Sequence, residues 1–141
     1  MFTEASNTKK QGDMGLGAAI AFFTAKGWSV SIPLTDSQDY DLIVDDPTKG
    51  LQRISIKTTS CYRHGSFIVG LRVCGGNSKR NYVHKLATEV KYAMLFMLTS
   101  AGDIYYMPKP NVTGGIALGK KYQCFKVKTA QSKFDSCPAH Q

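Results

Sequence analysis

The stretch YDLIVDDPTKGLQRISIKTT, residues 40–59, constrains the fold more than any other part of the chain. Two apolar, alternating runs, 40–44 and 51–59, flank DDPTKG, where proline and glycine occupy turn-favouring places. That arrangement predicts a β-hairpin. Side chains alternate faces along a strand, and residues opposed across an antiparallel pair share a face. The turn allows two registers, which set Asp41 opposite Ser55 or opposite Lys57. In either, Asp41, Ser55 and Lys57 gather on one side while Ile54 and Ile56 turn to the other. An acid and an amine are thereby expected to meet inside otherwise apolar strands.

The flanking segments supply the remaining elements. TKKQGDMGLGAAIAFFTAKG (8–27) reads as a helix with a broad apolar face, stopped by Gly27. Gly12, Gly15 and Gly17 weaken it as a helix but permit close approach to a sheet. No strand precedes these glycines, which argues against a dinucleotide-binding fingerprint. Strands are expected at 28–34 (WSVSIPL), 66–73 (SFIVGLRV) and 122–128 (YQCFKVK), and a hairpin joins KYAMLFMLT to IYYMP around SAGD. YVHKLATEV fits a helical turn or an extended segment equally. The order implies an α+β domain over residues 1–128, with a mixed or antiparallel sheet packed on the N-terminal helix and an extra C-terminal hairpin. Residues 129–141 form a polar tail. The apolar hairpin at 92–107 is the expected place for contact between copies.

Charge narrows the partner. Residues 1–50 carry four basic side chains against seven acids, and residues 51–141 carry fourteen against three, so the halves differ as −3 and +11. Such asymmetry favours a polyanion, most simply DNA, whose neutralised phosphates release counterions. No apolar run approaches the ~18 residues of a membrane span, and the polar start does not read as a signal peptide. Four cysteines without such a signal suit a reducing, cytoplasmic setting. Cys61, His64, Cys137 and His140 form two Cys-x-x-His pairs of zinc-ligand spacing, but their separation and the terminal place of the second argue for coincidence.

An Asp–Lys pair can be merely structural, contributing little. It can also serve phosphodiester hydrolysis, the carboxylate holding a divalent metal and the lysine stabilising charge at phosphorus. YDLIVDD…LQRISIKTTS, preceded by TKKQGDMGLGAAIAFFTAKGWSVSIPL, resembles the PD-(D/E)XK nucleases, most closely the group I intron-associated homing endonucleases and Holliday-junction resolvases. The resemblance covers residues 8–60 well and continues loosely through YAMLFMLTSAGDIYYMP. It implies a restriction-endonuclease-like core and a DNA endonuclease dependent on Mg²⁺ or Mn²⁺. It also implies Asp41 as metal-binding aspartate and Lys57 as catalytic lysine.

The family's pattern is departed from at two places. Its second acid, or a glutamine in the intron-encoded branch, falls on Ser55, and a glutamate common on its first helix falls on Leu16. Mg²⁺ prefers hard oxygen ligands, so the Ile56 carbonyl and the Ser55 hydroxyl are expected to assist Asp41. Asp13, about one turn before Leu16, is the expected substitute acid, with Asp39 and Asp45 as others. Gln11 and Thr58 are candidates to line the same cleft, although helix-surface and sheet roles suit them better. Without a substitute acid, the alternative is a catalytically inactive nuclease-fold protein that binds DNA or a protein partner. A weaker third reading is a small toxin, immunity or phage-type factor with a protein partner. DNA contacts are expected from Arg53, Arg63, Arg72, Lys79, Arg80 and Lys85, with Tyr82 stacking in the basic loop. Cutting both strands of a duplex favours a homodimer or higher homo-oligomer.

Overall fold

A computed structural model describes residues 8–75, 83–86 and 88–127, with backbone alone at 73–75 and 83–85. The Lys79–Arg80–Tyr82 loop, Cys137, His140 and the 129–141 tail lie outside the described residues. The chain opens with α1 (Thr8–Ala25). Among the described residues eleven strands follow: β1 (Val30–Ser31), β2 (Leu42–Asp46), β3 (Gly50–Thr59), β4 (Tyr62–Arg63), β5 (Ser66–Gly70), β6 (Val73–Gly75), β7 (Val83–Lys85), β8 (Met94–Thr99), β9 (Ile104–Pro108), β10 (Gly115–Ala117) and β11 (Lys126–Val127). A 3₁₀ helix at Lys120–Phe125 precedes the last of these.

The stop of α1 follows from its sequence. Gly27 takes φ 77°, and its amide and that of Trp28 donate to the carbonyls of Thr24 and Phe23 at 2.9 and 3.1 Å. This is the Schellman pattern, and the hydrophobic contact that accompanies it is the stack of Trp28 on Phe23, with centroids 5.8 Å apart. The predicted hairpin is present as β2 and β3. Leu42 pairs with Ile54 and Asp46 with Gly50, so the register extends to set position 41 opposite Ser55. The Asp46 carboxylate caps the turn, accepting from the Thr48 amide and hydroxyl, both at 2.8 Å, and from the Lys49 amide at 3.2 Å.

The central sheet runs β1-β2-β3-β8-β9-β11 and is mixed, because β8 lies parallel to β3 while its other pairings are antiparallel. Every residue of β8 is buried, as expected for a strand covered on both faces. On one face Met94, Phe96 and Leu98 pack with Ala19 and Phe23 of α1 and with Leu42, Val44 and Ile54. On the other, Leu95 and Met97 meet Val69, Leu71, Ile116, Leu118 and Tyr122. There a small sheet, β10-β5-β4, forms the third layer.

Four expectations are corrected by this packing. The 92–107 hairpin is interior to the sheet, so its apolar strand faces the protomer's own two cores and is not a contact surface. The strand expected at 122–128 begins as a 3₁₀ turn that buries Tyr122, and among the described residues two, Lys126–Val127, pair at the sheet edge. The 28–34 strand shortens to two residues, and 66–73 divides into β5 and β6. The ambiguous 82–90 segment is extended at β7, paired with β6.

Candidate functional site

The site begins where β2 leaves β3. The ladder's last regular pair is Leu42 with Ile54, while β3 continues to Thr59. At this junction the Asp41 amide donates to the Ile54 carbonyl at 2.8 Å, and the Asp41 carboxylate accepts the Ile56 amide at 2.6 Å. Strand amides point along the sheet plane, so the carboxylate occupies the place of a departing backbone carbonyl, in that plane. The carbonyls of Arg53 and Thr59 accept from Ala93 and Ser100, on the β8 side. By alternation the Ile56 carbonyl points the opposite way, into the same gap as its amide and beside Asp41.

A pocket of about 250 Å³ opens here toward α1, lined by Gly12, Leu16, Asp41, Ile56 and Thr58. The helix can lie so near because Gly15 has no side chain. A Cβ there would stand 2.5 Å from the Thr58 methyl and 3.1 Å from a methyl of Ile56.

The expected grouping of Asp41 with Ser55 and Lys57 is therefore met only in part. Ser55 is buried, 2% exposed. By strand alternation it shares with the half-buried Lys57 the face away from Ile56 and Thr58. Neither lines the pocket, and among the described residues Lys57 makes no ion pair or side-chain hydrogen bond. Asp13 is exposed on α1 and stands outside the lining, as do Asp39 and Asp45. Among the described residues no three of His, Cys, Asp and Glu stand together as a metal site. Cys61 and His64 are both exposed.

The cations divide by location. Arg53 is exposed at the site's flank, its guanidinium 5.3 Å from the Tyr40 ring centroid. Arg63 and Arg72 are exposed on and just after the small sheet, Arg72 lying against Gly114. Lys85 belongs to β7. Sequence reasoning missed Gly12 as a cleft residue and favoured a sheet role for Thr58 over a place in the cleft. Parity was the available signal for Thr58, since it follows Ile56 by two.

A family model described as PD-(D/E)XK endonuclease matches residues 6–133. Among solved structures, that of a bacterial homing endonuclease is similar, with a TM-score of 0.65 and 23% identity over 96% of this chain and 85% of that one. A comparison with curated proteins finds no match. No helix among the described residues is long and apolar enough to cross a membrane.

Proposed function

This chain belongs to the PD-(D/E)XK endonuclease family, and from that premise we propose that it is a DNA endonuclease whose phosphodiester hydrolysis depends on a divalent cation. The observation that carries this reading is the placing of the Asp41 carboxylate, fixed by the Ile56 amide at the mouth of a cleft. Mg²⁺ typically keeps several waters and is held through one or two carboxylates plus substrate phosphate. The donors at hand fit the lower end of that range: one carboxylate and the Ile56 carbonyl facing the same gap, with Thr58 in the lining. A bound cation would supply Lewis-acid polarisation of the phosphate and a more acidic water.

The chain's own groups orient the reaction. Asp41 is held by a backbone amide and so is positioned before substrate arrives. Lys57 directly follows Ile56 on the part of β3 that β2 has left, and its flexible four-carbon stem can carry the ammonium around that open edge to a phosphate. The excess of basic side chains after residue 50 would draw the polyanion toward this end. A pair of chains working in the cytoplasm is the arrangement proposed for a two-stranded target.

A second reading is favoured by one observation: Leu16 and Ile56 present carbon to the pocket, and the lysine stands outside it. A chain of this kind would bind DNA without cutting it. Supercoiled plasmid incubated with Mg²⁺ or Mn²⁺ separates the two. Nicking by wild type that is lost in Asp41→Ala supports the endonuclease; retarded mobility without nicking at any metal concentration refutes it and leaves the binder.

A further inference from the structure

A second cleft, lined in part by the residue that precedes Asp41, has no part in the chemistry proposed above. It encloses about 310 Å³ and is lined by Ser37, Gln38, Asp39, Tyr40, Arg53 and Lys91. Its residues converge from three parts of the chain. Tyr40 immediately precedes Asp41, Arg53 projects from β3, and Lys91 is brought in by the bond from the Ala93 amide to the Arg53 carbonyl. Tyr40 is half-buried, anchored against the core on the face away from α1. Its ring supports the Arg53 guanidinium at 5.3 Å, a cation–π contact that limits the rotamers open to a long exposed side chain. Two cations stand against the single carboxylate of Asp39.

A planar guanidinium with a second, mobile ammonium beside it is the chemistry of phosphate recognition: Arg for paired hydrogen bonds, Lys for charge. We infer that this cleft is a phosphate-binding subsite, holding the nucleic-acid backbone next to the phosphate presented to Asp41. The inference rests on the DNA reading above and extends it, giving Arg53 and Lys91 a role in registering the strand and Tyr40 a positioning role through Arg53. A backbone contact carries no base information, so its loss weakens all sequences alike.

The test is the salt dependence of binding to a short DNA duplex in EDTA, where cleavage does not intervene. Each phosphate contact removed lowers the slope of log K against log salt by about 0.9. The Arg53→Gln/Lys91→Gln double variant is expected to lose about 1.8 from the slope, equally on unrelated sequences. The single Lys91→Gln, at an exposed loop position, is expected to lose about 0.9 and guards against misfolding of the double. A Lys120→Gln/Lys126→Gln pair serves as control. A wild-type slope in Lys91→Gln, or an equal loss in the control pair, overturns the subsite while leaving DNA binding intact. Absence of wild-type binding at low salt overturns the DNA reading itself, and the subsite with it.

Discussion

The Ile56 amide donates to the Asp41 carboxylate over 2.6 Å, at the point where two strands part. A side-chain oxygen thus replaces a ladder carbonyl. This single contact, just beyond the hairpin's last regular pair, aims an acid at the cleft beneath α1.

Asp41→Asn keeps a carbonyl to accept that amide but removes the negative charge. Its thermal stability is expected to stay within about 1 kcal/mol of wild type, since one neutral acceptor replaces an exposed charged one. Metal-dependent nicking is expected to fall by about 100-fold or more, the scale of losing one electrostatic stabiliser. Melting curves beside plasmid assays check both halves.

Leu16→Glu tests whether the pocket is the metal site. The substitution sets a second carboxylate across from Asp41, in a lining that now offers carbon. Mn²⁺ affinity by calorimetry is expected to rise about tenfold or more. An unchanged affinity would move the cation elsewhere.

Gly15→Ala and Gly17→Ala should differ in sign. At Gly15 the new methyl meets Thr58 at 2.5 Å, so overpacking of about 1–3 kcal/mol outweighs the helix-propensity gain. At Gly17 nothing lies within 4 Å, and stability should rise by up to about 1 kcal/mol. Urea denaturation of the two variants reads the contrast directly.

Asp46 gives an acid-side dependence. Hydrogen bonds from Thr48, above all its amide, hold the carboxyl below its ordinary value of 3.8 even against the partial desolvation. A lowered folded pKa contributes stability that is complete above the unfolded value and lost as pH falls through the folded one. The stability deficit of Asp46→Asn should therefore be present at neutral pH and shrink below about pH 4.

Tyr106 acts at the alkaline end. Burial, reinforced by the Asp46 carboxylate, pushes its phenol up to about 12, and its hydroxyl is buried without a partner among the described residues. Above the unfolded value near ~10 the unfolded chain loses this proton first, so stability falls with pH. Tyr106→Phe should match or exceed wild type at neutral pH, by up to about 1 kcal/mol. It should also lose less stability than wild type on titration above pH ~10.

Much of this architecture was legible in the linear order of residues, because it depends on neighbours. Gly27 stops α1 through bonds to carbonyls within one turn. DDPTKG announces the β2–β3 hairpin, although the choice between its two possible registers is visible only in the pairing of Leu42 with Ile54. The alternation of β3 places Ser55 and Lys57 on one face and Ile56 and Thr58 on the other, as its pattern requires. The carbon at Leu16 and the hydroxyl at Ser55, where the resemblance implies a glutamate and an acid or glutamine, were equally plain.

What waited for the folded chain was everything set by distant partners. No local pattern tells that MLFMLT will lie parallel to β3 and be covered on both sides, since a fully buried strand loses the alternation that reveals a face. Nor does any pattern tell where a ladder frays. β2 stops pairing at Leu42 because the preceding chain turns aside, and only that departure rotates Asp41 from a face of the sheet into its plane. The acid consequently meets Ile56 and Thr58 rather than Lys57. Hydrogen-bond geometry across the gap, a property of two strands together, made that choice.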